Sequence, residues 1–204
     1  MRVFSIFSAA IMAVLLLTSV VLPADMTDGN AAFASRDYVT ALTLLTPFAE
    51  QGDVQAQLKV GFMYFYGEGI GRDYEEAAAW LTRAASQGNP IAQTMLAKMY
   101  QNGWGVERDY AKAITWCRRA AEQGYAEGQA TLGQYYAEGI GCVESTAAAV
   151  DWLYKAGVSY LKNDNRDMAL TMVDRIREIS PDHFMLYRLL NLIYEEAGEG
   201  HKEP

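Results

Sequence analysis

The sequence predicts an all-α fold, a right-handed α-solenoid of about ten helices paired into helix-turn-helix repeats, and three observations carry that prediction. Segments 54–89, 90–125 and 126–160 repeat one pattern at a spacing of 36 residues. Within it Gly67 and Gly69, Gly103 and Gly105, and Gly139 and Gly141 fall in register, as do Trp80, Trp116 and Trp152, and Gln57, Gln93 and Gln129. No stretch of these segments alternates apolar and polar residues as a half-buried strand does. Units of this length cannot bury an apolar face alone, so they stack and bury it against their neighbours.

The chain opens with Met1 and Arg2 ahead of an uncharged run, Val3 to Leu22, the order of an export signal occupying residues 1–24. Cleavage after Ala24 would leave Asp25 first and the protein periplasmic or secreted. An uncleaved leader is the alternative, because an apolar run of that length can also span a bilayer and anchor the chain.

In the first repeat Ala56, Val60, Gly61, Met63 and Tyr64 form one stripe at helical spacing. Gly67 stops that helix by taking the left-handed conformation, and Gly69 helps the chain reverse. Asp73 starts the second helix as its cap, with Glu76 at capping-box spacing, and the buried stripe is Ala77, Trp80, Leu81, Ala84 and Ala85. Gly88 ends it, and Asn89-Pro90 opens the next unit. Small residues such as Gly61 and Ala84 let backbones approach, while Trp80 and Tyr64 fill the remaining space.

The third repeat departs from this pattern. Ser145-Thr146 replace Asp-Tyr, Gly128 replaces an alanine, and Gly157 and Tyr160 stand where the earlier units close with alanine and glycine. Its second helix is therefore expected to run on to about Leu161 and to be shared with whatever follows.

Two cysteines occupy apolar slots, Cys117 in place of Leu81 and Leu153, and Cys142 in place of Ile70 and Val106. Buried free thiols are expected rather than a disulfide, since one lies within a helix and the other in a loop.

The motifs A-Q-x-x-x-G-x-M-Y from Ala56, G-x-G-I from Gly67, D-Y-x-x-A from Asp73 and A-W-L-x-x-A-A-x-Q-G from Ala79 resemble the Sel1-like repeat (SLR) branch of the tetratricopeptide superfamily. By the same resemblance residues 25–53 form a preceding tetratricopeptide-like helix pair, with Asp37-Tyr38 ahead of Ala41, Leu44, Leu45 and Phe48. Residues 161–198 resemble a further such unit: Ala169, Val173 and Ile176 belong to its second helix, and a final helix runs from Asp182 to about Ala197. Residues 199–204 are a polar tail.

The formal net charge of −8, or −9 once Arg2 leaves with the leader, repels phosphate backbones and argues against nucleic acid as a partner. His183 and His201 are the only histidines, and neither stands at metal-ligand spacing from a cysteine or carboxylate. No nucleophile elbow, zinc-binding helix or P-loop is present, and the glycine run at Gly67 follows a helix rather than a strand. No catalytic residue, metal or cofactor is expected.

What the resemblance implies is a binding scaffold for a protein or peptide in a concave groove lined by the first helices. The positions facing that groove are Gln55, Leu58, Phe62, Phe65 and Tyr66 in the first unit, Ile91, Thr94, Lys98, Gln101 and Asn102 in the second, and Glu127, Ala130, Gln134, Ala137 and Glu138 in the third. Leu58, Phe62 and Phe65 share one helix face and make an aromatic-lined patch open to a partner. Alternatively the N-terminal helix pair, or an apolar stretch left after the leader, folds over that patch and makes both phenylalanines core. An exported adaptor is the expected function, with a membrane-tethered scaffold or a factor acting on a host or neighbouring cell as alternatives.

Overall fold

Side-chain oxygens placed just ahead of the apolar stripes set most of the helix starts. In the computed structural model, which describes residues 25–196, the amide of Ala56 donates to Asp53 Oδ1 at 2.7 Å, and Ala92 donates to Asn89 Oδ1 at 2.9 Å. Asp73, Asp109, Ser145 and Asn165 cap four further helices in the same way. Each such cap satisfies an amide that has no partner inside its helix.

Ten helices result among the described residues, with no strand: α1 Met26–Ala34, α2 Tyr38–Glu50, α3 Val54–Tyr66, α4 Tyr74–Ser86, α5 Pro90–Asn102, α6 Tyr110–Glu122, α7 Ala126–Glu138, α8 Thr146–Leu161, α9 Arg166–Ile179 and α10 Phe184–Glu196. Each packs against the next in the chain, α5 also touches α7, and α10 also touches α8. This is an all-α repeat solenoid, in which contacts run between neighbours rather than across a single centre. None of these helices is long and apolar enough to cross a membrane. The expected leader and polar tail lie outside the described residues.

The paired glycines do two different jobs. Gly67, Gly103 and Gly139 cap their helices in the left-handed conformation, with φ of 74°, 72° and 68°. The second glycine of each pair is also left-handed, but its side-chain position is occupied by the preceding unit. A Cβ on Gly105 would lie 1.9 Å from the carbonyl oxygen of Tyr74, and one on Gly141 would lie 2.1 Å from that of Tyr110. Backbone approach between consecutive units thus passes through these glycines, a role beyond the simple reversal expected from sequence.

The in-register glutamines are buried clamps. Gln57, Gln93 and Gln129 donate from Nε2 to the carbonyls of Ala49, Ala85 and Ala121 in the helix before them. Their Oε1 atoms accept from Gln87, Gln123 and Ser159 at the end of the helix after them, each at 2.8 Å. Both ends of each amide are satisfied, as a buried polar group requires.

The turn from α8 to α9 repeats the turn between units although its sequence does not. Asp164, with φ of 54°, stands just before the cap Asn165, where Gly52, Gly88 and Gly124 stand before theirs. It therefore hands the chain from α8 to α9 as the turn at Gly88 hands it from α4 to α5. Gly157 of α8 serves the same end of the molecule, since a Cβ there would meet Leu189 of α10 at 2.4 Å. Both cysteines are free; Cys117 is fully buried, whereas Cys142 is only half-buried, short of the burial expected for it.

Candidate functional site

Two clefts open on the face built from the first helices. The first, of about 260 Å³, lies between α3 and α5 and is lined by Phe62, Phe65, Tyr66, Ile91, Thr94, Met95, Lys98, Trp104 and Glu127. The second, of about 290 Å³, lies among α7, α8 and α9, with Gln134, Ala137, Glu138, Leu153, Arg175, Glu178 and Ile179 around it. Both are smaller than the usual small-molecule pocket.

The structure separates the sequence-predicted patch into core and surface. Leu58 is 5% exposed and Phe65 9%, both inside the cluster formed with Leu81, Leu96 and Met99, while Phe62 is half-buried and Tyr66 is 59% exposed. Leu58 is thus corrected to a packing residue, and Phe65 presents only an edge to the cleft. What covers them is neither solvent nor the N-terminal helix pair, which packs on Ala56, Val60 and Met63. The following unit covers them. Trp104 stands 5.5 Å from the Phe65 ring in an edge-to-face contact and stacks on Tyr74 at 5.9 Å.

Trp104 escaped the sequence reading because it sits in the loop between Gly103 and Gly105, where the other units have Glu68 and Ile140. Its signal was being a fourth tryptophan off the register of the other three.

The remaining positions fall as follows. Gln55 is exposed. Thr94 is 2% exposed and its hydroxyl donates to Pro90 O, so it is floor rather than binding surface, a second correction. Lys98 Nζ reaches from α5 to Glu127 Oε1 on α7 at 2.6 Å. Gln101 accepts from the Tyr135 hydroxyl at 3.0 Å, and Gln134 donates to Glu138 at 2.8 Å beside the second cleft. Gln55, Gln101 and Gln134 are not among the residues around the first cleft.

Electrostatically the first cleft ends in a closed pair. The carboxylate of Glu127 accepts from Lys98 on one oxygen and from the Tyr125 hydroxyl at 3.2 Å on the other. Burial, and then the nearby Glu127 charge, push the Tyr125 phenol up to about 12. No group in the cleft is arranged as a nucleophile with its base, and no cluster of three His, Cys, Asp or Glu able to hold a metal occurs among the described residues.

Residues 28–53, 54–89, 90–125 and 126–157 each match the Sel1 repeat. The segment 28–53 is thereby a fourth copy, more specific than the helix pair expected there. A crystal structure of a Sel1 repeat protein from Oxalobacter formigenes is similar, with 25% identity over 88% of this chain and 79% of that one and a TM-score of 0.62. A protective antigen of uropathogenic Escherichia coli displaying an SLR fold is also similar, at 27% identity over 81% of this chain and a TM-score of 0.58. This chain spans 46% of that antigen. No curated protein matches the chain.

Proposed function

The chain belongs to the Sel1 repeat family, and from that premise we propose that it is an exported protein–protein interaction scaffold that takes a protein or peptide segment along the face of its first helices. Repeats of this kind commonly serve as interaction scaffolds. One observation supports the reading most: a cleft of about 260 Å³ between two repeats leaves parts of Phe62, Tyr66 and Trp104 accessible where a monomer would otherwise bury them. Export rests on the order of charge, apolar run and small residue at 1–24. A tether through an uncleaved leader is the second reading, motivated by the length of that run.

Affinity purification of the full-length protein from its native host, in parallel with a Phe62→Lys variant, tests the binding reading. A partner retained by the native protein and lost by the variant is expected; identical profiles from both overturn the use of this cleft. N-terminal sequencing of the protein from the same host tests export, with Asp25 expected as the first residue and an intact Met1 in the membrane fraction indicating the tether.

A further inference from the structure

Open and closed gaps alternate along the face of the first helices. Between α5 and α7 the gap is strapped: Lys98 Nζ on α5 meets Glu127 Oε1 on α7 at 2.6 Å, and the Tyr135 hydroxyl on α7 donates to Gln101 Oε1 on α5 at 3.0 Å. These two helices also approach each other more closely than α3 and α5 or α7 and α9 do. On either side of the strap lie the two clefts, about 260 Å³ and about 290 Å³, each of a size for one side chain rather than a whole ligand.

Each cleft has apolar walls and a rim of both charges. Phe62, Tyr66, Trp104 and the flexible Met95 wall the first and suit any bulky apolar side chain, while Lys98 and Glu127 at its end neutralise each other. Leu153, Ile179 and Ala137 floor the second, beside Arg175, Glu138 and Glu178. Neither rim sets the charge of what enters, so selectivity falls to the distance between the clefts. That distance spans the widths of α5 and α7, about 8–10 Å each, or roughly 16–20 Å in all. An extended chain advances about 3.3 Å per residue, so roughly 5–8 residues separate its anchors once it passes over the strap.

We propose that one extended segment of a partner protein binds this face by two anchors, a bulky apolar side chain in the first cleft and an aliphatic one in the second, about 5–8 residues apart. This rests on the binding function proposed above. Joining two weak anchors makes the second contact intramolecular, which raises affinity about 10²–10⁴-fold over either alone.

Selection of displayed random peptides, long enough to hold both anchors, on the purified full-length protein tests this, followed by capture on Phe62→Lys and on Ala137→Arg. The arginine fills the second cleft from a half-buried lining position. A thermal melt verifies each fold. Tyr66→Ala, at an exposed ring, and Ala137→Gln, which installs the residue that the second unit carries at the same place, serve if either variant melts early. The expected peptides carry two apolar residues about 5–8 positions apart. Replacing either anchor with serine, or blocking either cleft, should lower capture about hundredfold, and blocking a cleft whose matching anchor is already gone should cost nothing further. Peptides that depend on Phe62 or Tyr66 whatever stands at 137, or on Ala137 alone, overturn the two-anchor inference and leave the scaffold function standing. Absence of any peptide whose capture depends on either cleft overturns both.

Discussion

Ala97 and Cys117 meet in the core of the second unit as the volume-exchanged counterpart of Gly61 and Leu81 in the first. A Cβ on Gly61 would lie 2.8 Å from Leu81 Cγ, and the third unit repeats the relation between Gly133 and Leu153 at the same distance. In the second unit the Cβ is present, and the facing side chain is shorter. The cysteine is there because its neighbour is an alanine.

Cys117→Leu alone should therefore overpack the second unit and cost about 1–3 kcal/mol. Ala97→Gly combined with it recreates the pair of the other two units and should recover most of that loss. Urea denaturation of the two single variants and the double closes the cycle, and simple additivity would refute the exchange.

The two phenylalanines of the first cleft should part company. Phe65→Ala removes a ring packed against Trp104 and Tyr74 and should cost about 3–5 kcal/mol. Phe62→Lys, at a half-buried position, should cost under about 1 kcal/mol. Thermal melts of each variant test the division; equal losses would place Phe62 in the core as well.

Gly103 and Gly105 share a left-handed backbone but differ in surroundings. A Cβ on Gly103 comes no closer than 3.5 Å to a neighbour, so Gly103→Ala should carry only the backbone penalty of about 1–2 kcal/mol. Gly105→Ala drives a methyl group into the Tyr74 carbonyl and should exceed about 3 kcal/mol. Chemical denaturation of the two alanine variants distinguishes these effects, and amide exchange should show the junction between the first and second units loosening only in the second variant.

Gln93→Leu should cost about 0.5–1.5 kcal/mol, because the clamp loses its hydrogen bond to the Ala85 carbonyl, which keeps the Gly88 amide as a donor. Gln123→Ala, at an exposed position that water can serve, should cost less than half as much. Equal values from denaturant midpoints would mean that the clamp acts through its exposed end.

Alkali should weaken the fold before it exposes the buried thiol. Burial pushes the Cys117 thiol from 9.0 up to about 12, and the Tyr125 phenol moves from 10.0 to about 12. The folded chain keeps protons that the unfolded chain releases. The contribution of these groups is thus intact below about pH 9 and is lost as pH rises towards about 12. Urea midpoints should fall over that interval. At about pH 8, alkylation of the native protein should modify Cys142 well ahead of Cys117, with both reacting once unfolded.

The fold was legible because a repeat states its own register: the caps at Asp73 and Asn89, the stops at Gly67 and Gly103 and the stripes between them are local signals, each sufficient for its own helix. A local signal was missing at Asp164, which takes the left-handed turn that glycine takes elsewhere. The first-helix face was also legible, since the resemblance to tetratricopeptide repeats implies that Phe62, Tyr66 and Lys98 lie on it. Which of those residues are open to a partner was not. Burial at that face depends on how far the next unit leans over, and this is set by contacts between residues far apart in the chain: Gly105 against Tyr74, Trp104 against Phe65, and Lys98 against Glu127. Periodicity fixes the direction in which a side chain leaves its helix, but only the packed neighbour decides whether it meets water, and so the sequence by itself determined the repeats while the tertiary structure decided the cleft.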